Sequence, residues 1–160
     1  MRKNLGRLTG VGLTISLLAL APLASASNAT ATSTPNGDVN AISSSGTSTN
    51  KDNDADFNTL TQADRLGLFY AVANNSETAQ TIHITVTLDG PGTGRDLILV
   101  DEDVFFGPWT PEQGSTISQG RFEFQVKHKE WPEGSYSLSV TGSGSESVTA
   151  TSTFTIAYGK

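Results

Sequence analysis

From Phe57 onward, apolar and polar residues alternate with a period of two, which restricts the chain to strands whose two faces meet different surroundings. Ile82, Ile84, Val86 and Leu88 alternate with Thr81, His83, Thr85 and Thr87, and Leu66, Leu68, Tyr70 and Val72 form an earlier set. Phe122, Phe124 and Val126 oppose Arg121, Glu123, Gln125 and Lys127. Tyr136, Leu138 and Val140 oppose Ser135, Ser137 and Ser139. After the turn Gly142-Ser143-Gly144-Ser145, the row Val148, Ala150, Ser152, Phe154, Ile156 and Tyr158 opposes Thr149, Thr151, Thr153 and Thr155. Leu97 to Val100 is a continuous apolar run, either a strand buried on both faces or a short hydrophobic edge. A helical period competes only weakly, around Leu60 to Leu66. The pattern predicts an all-β domain over residues 57–160: an antiparallel two-sheet sandwich of about seven strands, each with one wet face.

Residues 1–26 read as a secretory signal peptide. Arg2, Lys3 and Arg7 form a basic start, Val11 to Ala21 an apolar stretch, and Ala24-Ser25-Ala26 the small-residue pattern cut by a signal peptidase. The apolar stretch is shorter than the roughly twenty residues that span a bilayer. The expected mature chain starts at Ser27, outside the cytoplasm, secreted or held at the cell surface. Residues 27–56 are dominated by Ser, Thr, Asn, Asp, Gly and Ala, with Val39 and Ile42 the only larger aliphatics, and are expected to form a disordered linker. No second apolar run follows, so neither a transmembrane tail nor a lipid-anchor tail is expected in the mature chain.

Removing Arg2, Lys3 and Arg7 leaves seven basic residues against sixteen acidic ones, a formal charge of -9. That balance argues against nucleic acid and anionic lipid as partners. The chain has no cysteine, so it must be held by packing alone, and thiol catalysis and Cys-ligated zinc are excluded.

Trp131-Pro132-Glu133-Gly134-Ser135-Tyr136, followed by a Gly/Ser hairpin and Thr153-Phe154-Thr155-Ile156, resembles the closing hairpin of the immunoglobulin-like domains of exported bacterial and archaeal proteins. The resemblance implies that Tyr136 is a corner tyrosine whose hydroxyl bonds back to the turn, with Trp131 beside it as a structural residue. It covers mainly the last two strands and implies a fold more than a function, because such sandwiches serve as spacers, adhesins, filament subunits, inhibitors and sugar binders.

Residues 101–120 form an unusually long connection that carries Phe105, Phe106 and Trp109 between an acidic triplet and two prolines. Two readings stand side by side. The rings form a contact patch for a protein or sugar partner, or they plug one end of the sandwich. Asp101, Glu102 and Asp103 offer hard oxygen ligands in a row, a weak calcium candidate whose other reading is solvated charge. Asp52, Asp54 and Asp56 fail as an EF-hand, since Phe57 stands where Gly is needed and Ala63 where a bidentate Glu is needed. No other cofactor is expected. Asn28 and Asn74 head glycosylation sequons. The alternate threonines from Thr149 to Thr155 form a hydroxyl row of the kind found on ice-binding and sugar-bearing faces, and also of the kind common on any exposed strand. His83 and His128 both fall on wet strand faces, and no Gly-x-Ser-x-Gly or His-Glu-x-x-His spacing occurs, so no catalytic residue is assigned.

The expected function is that of a noncatalytic binding or structural module at the cell surface, acting in adhesion or recognition of a protein or a surface polysaccharide. Contact runs through Phe105, Phe106 and Trp109, or through main-chain pairing along an exposed edge. The alternatives are a carbohydrate-binding module and an exported protease inhibitor using the stiff Gly107-Pro108-Trp109-Thr110-Pro111 loop. Oligomeric state is left open.

Overall fold

The computed structural model describes residues 31–33, 37–49, 59–60, 65–91 and 97–158, so residues 1–26, Asn28 and the Asp52, Asp54 and Asp56 cluster lie outside it. The described strands are β1 (Ala31–Ser33), β2 (Val39–Thr49), β3 (Thr59–Leu60), β4 (Arg65–Asn74), β5 (Gln80–Asp89), β6 (Leu97–Phe106), β7 (Thr116–Gln125), β8 (Gly134–Ser143) and β9 (Ser147–Ile156). They form two sheets, ordered β1-β2-β4-β7 and β3-β9-β8-β5-β6. Every pairing is antiparallel except the short β3 with β9. The antiparallel pairs β1–β2, β5–β6 and β8–β9 each stay within one sheet, and the chain changes sheet after β2, β3, β4, β6 and β7. The all-β sandwich read from the alternation is the fold.

The alternating rows meet in one core. Ile82, Ile84, Val86 and Leu88 of β5, Leu138 and Val140 of β8, and Val148, Phe154 and Ile156 of β9 pack with Leu66, Leu68 and Val72 of β4. Burying each such side chain contributes about 1.5–3 kcal/mol. Most hydroxyls and charges take the opposite faces, as the period of two requires; Ser43, Ser45 and Ser152 are buried exceptions.

The linker expectation fails over residues 39–49, which pair with β4 along their length. Val39 and Ala41 are fully buried in the core. Further along β2 the inward positions are the serines Ser43 and Ser45; Ser43 is hydrogen-bonded, while the buried Ser45 Oγ has no hydrogen-bond partner among the described residues. Ser43 Oγ donates to the Leu138 carbonyl at 2.7 Å and lies 2.7 Å from Ser152 Oγ of the facing sheet. Small paired hydroxyls let the two sheets approach where large apolar side chains are missing. The domain therefore begins by Val39, well before Phe57.

The two ends of the sandwich close by different chemistry. At one end Trp131 meets Phe124 edge-on with centroids 5.4 Å apart and leans on Tyr136 at 5.7 Å, and Tyr136 stacks on Phe154 at 5.1 Å. The Tyr136 hydroxyl donates to the Pro132 carbonyl at 2.7 Å, and the Tyr158 hydroxyl donates to the Trp131 carbonyl at 2.7 Å. Gly134 has φ 138°, so a side chain there would be strained as the turn enters β8.

At the other end Asn74 is fully buried and all four of its hydrogen-bonding positions are used. Its Nδ2 donates to the carbonyls of Thr78 (3.0 Å) and Gly107 (2.8 Å), while Oδ1 accepts from the Ser76 amide (2.9 Å) and Gln80 Nε2 (2.7 Å). Asn74 thus ties the β4–β5 turn to the β6–β7 connection. The same geometry removes Asn74 as a glycosylation site in the folded domain, because the nitrogen that would carry the glycan is buried and donating to two carbonyls.

Candidate functional site on the β6 edge

Residues 101–120 are mostly strand. β6 runs to Phe106 and β7 starts at Thr116, which leaves only 107–115 as the connection. The alternation was hidden because β6 is the last strand of its sheet, where inward positions need not all be apolar. Pairing with β5 sets Phe105 opposite Thr81, Asp103 opposite His83, Asp101 opposite Thr85 and Ile98 opposite Thr87, with a bulge between the last two rows.

That register separates the three aromatic candidates. Phe106 points inward and is fully buried, so it belongs to the core. Phe105 points outward and is 72% exposed. Trp109 is half-buried in the connection, with its amide donating to the Ser76 carbonyl at 2.6 Å. The three rings therefore form no common patch, and the aromatic plug of the sandwich is built around Trp131 at the opposite end.

The exposed large hydrophobic residues among those described are Leu97, Ile98 and Phe105, and all three lie on β6. Leu97, at the start of the strand, also borders a cavity of about 150 Å³ walled by Leu88, Trp131, Pro132 and Tyr136. On its outer side β6 pairs with no other described strand.

The acidic triplet does not converge. Asp101 and Asp103 face outward on alternate positions, and Glu102 faces the other way. Among the described residues no group of three or more His, Cys, Asp or Glu side chains is placed to hold a metal ion. The two aspartates instead hold His83, with Nε2 2.9 Å from Asp101 Oδ1 and Nδ1 2.8 Å from Asp103 Oδ1. The hydrogen bond to Asp103 raises the imidazole above its ordinary 6.5; desolvation opposes it, and the charges of Asp103 and Asp101 add to the rise. Because the folded value is the higher one, this contribution to stability is complete below pH 6.5 and is lost as pH rises through the raised value. In an NMR titration His83 is expected to titrate above pH 6.5, and Asp103→Asn to bring it down. An unchanged midpoint in that variant would contradict the clamp. The sequence held one trace of this group, the spacing of Asp101 and Asp103 two apart; the partner histidine depends on hairpin register and was not legible.

The hydroxyl row of β9 is continued on β8. Thr141 and Thr149 hydroxyls lie 2.8 Å apart, Ser139 and Thr151 3.2 Å, and Ser143 and Ser147 2.9 Å. Each of these pairs shares one hydrogen bond across the strand pair.

No family model matches the sequence, and no curated protein matches it. Solved structures resemble parts of it at low identity. A β-glucosidase from Listeria innocua in complex with glucose is 15% identical over 63% of this chain and 15% of its own, with a TM-score of 0.40. A β-glucosidase from intestinal bacteria involved in saponin metabolism is 16% identical over 81% of this chain and 16% of its own, TM-score 0.40. An alkylpurine DNA glycosylase from Pseudomonas fluorescens is 10% identical over 62% of this chain and 27% of its own, TM-score 0.38. The chain spans a small part of each of these proteins. Among the described residues no helix is long and apolar enough to cross a membrane.

Proposed function

We propose that this chain is an exported, noncatalytic binding module, an immunoglobulin-like sandwich that recognises a protein or surface partner through its β6 edge. The observation that carries the reading is the gathering of Leu97, Ile98 and Phe105 on one edge strand whose outer main chain pairs with no described strand. Exposed apolar side chains are ordinary when scattered; several at the two ends of one strand, beside backbone that pairs with no described strand, form an arrangement that accepts an added strand. The basic and apolar start of the sequence supports export, and the Tyr136 to Pro132 bond supports the immunoglobulin-like assignment. His83 already has both ring nitrogens engaged by Asp101 and Asp103, which favours a noncatalytic reading. A carbohydrate platform wants coplanar exposed rings, and Phe105 has no ring beside it among the described residues.

The test is retention of the labelled mature protein on envelopes of the organism that makes it. Phe105→Asp is expected to lower retention at least about tenfold, the scale of a lost anchor residue, while Thr149→Ala on the far strand leaves it unchanged. Equal retention of both variants would overturn the reading.

A further inference from the structure

Resting on that reading, we infer that the β6 edge selects an extended strand from another protein with two basic residues flanked by apolar ones on the face beside Asp101 and Asp103. The outward row of β6 reads Ile98, Asp101, Asp103, Phe105, so its apolar ends, 58% and 72% exposed, bracket two carboxylates. An incoming strand sets its side chains directly opposite this row, with Cβ atoms about 4.5–5.5 Å apart. Lysine or arginine then meets the aspartates, and an apolar residue lies beside each end. Leu97, opposite the core residue Leu88, lies on the other face beside the cavity at Trp131 and is not part of this row.

Charge points to a basic partner. β5, β6, β8 and β9 contain no lysine and no arginine, so nothing within these four strands offers the aspartates a cation except His83. His83 engages one oxygen of each carboxylate, Oδ1 in both cases, and it does so from the β5 side. The second oxygen of each is left to a strand arriving on the opposite side.

The same charges argue against a second copy of this chain. Antiparallel pairing of two β6 strands about Glu102 would set Asp101 against Asp103 of the copy and Glu102 against its own equivalent. Like charges directly opposite one another destabilise a strand pair. The edge therefore discriminates against self-pairing and for a basic strand, using one set of side chains for both.

The experiment uses the mature protein and two synthetic strand peptides, Ile-Thr-Lys-Thr-Lys-Thr-Phe and the same peptide with both lysines replaced by glutamate. Binding is followed by amide shifts and by anisotropy. The lysine peptide is expected to bind at least about tenfold more tightly than the glutamate peptide, with shifts centred on β6. Its affinity should fall as salt rises from about 50 to about 500 mM. Asp101→Asn combined with Asp103→Asn is expected to remove the preference; both positions are exposed, and unfolding of the variant is measured alongside to confirm that it folds. Equal binding of the two peptides, shifts away from β6, or no binding at all would overturn the inference, the last showing that the acids only shield the edge. Concentration-dependent dimerisation through β6 in light scattering would overturn it as well. If Phe105→Asp loses envelope retention while the lysine peptide fails to bind, the charge selection falls and the binding edge stands. If the wild-type protein is not retained at all, the underlying reading falls.

Discussion

Phe106→Ala is expected to destabilise the domain by about 3–5 kcal/mol, whereas Phe105→Ala, one residue earlier, should stay within about 0.5 kcal/mol of wild type. Phe106 is fully buried and closes the inward row of β6, so its removal leaves a cavity in the core. Phe105 stands 72% exposed on the opposite face, where truncation removes little packing. Urea unfolding of the two variants, with unchanged slopes, gives the comparison directly. Similar losses in both would mean that Phe105 is covered in the folded protein and is unavailable to a partner. The contrast matters because a patch made of both rings, plausible from their adjacency, is ruled out by the alternation of side chains along a strand.

Asn74→Ala is the second large effect, expected at about 2–4 kcal/mol. The substitution removes four hydrogen bonds and leaves the buried side of the Thr78 and Gly107 carbonyls without the donor they now share. Loss of the tie to Gly107 should also raise amide exchange across residues 107–115, which include Trp109. Ser76→Ala destroys the same Asn-x-Ser sequon but removes only two exposed bonds, one with the Thr78 hydroxyl at 2.8 Å and one from the Thr78 amide at 3.1 Å, so it should cost about 1 kcal/mol or less. Equal losses in the two variants would assign the effect to a glycan rather than to the buried amide.

The legible part of this fold was the part written in large alternating side chains. β5, β8 and β9 carry that signal without interruption, and their inward rows are the core. β2 was illegible because its inward positions after Ala41 are serines, and Ser43 finds its partners, Ser152 and the Leu138 carbonyl, far away in sequence. β6 was illegible for a different reason. An edge strand tolerates Glu102 on its inner row, so the alternation that marks a strand breaks where the sheet ends. The candidate site inherits that difficulty. Phe105 was picked out by sequence, but its separation from Phe106 and Trp109, and the clamp on His83, follow from register. Register in a hairpin with a bulge between Val86 and Thr87 is set by the folded sheet.

The most direct test of the proposed β6 binding edge is amide hydrogen exchange on residues 27–160, free and mixed with the envelope fraction of the organism that makes the protein. Slowed exchange concentrated between Leu97 and Phe106, with β9 and the Asn74 end unchanged, is the predicted result. Protection centred on the threonine face of β9 or on the 107–115 connection, with β6 exchanging as in the free protein, would contradict it.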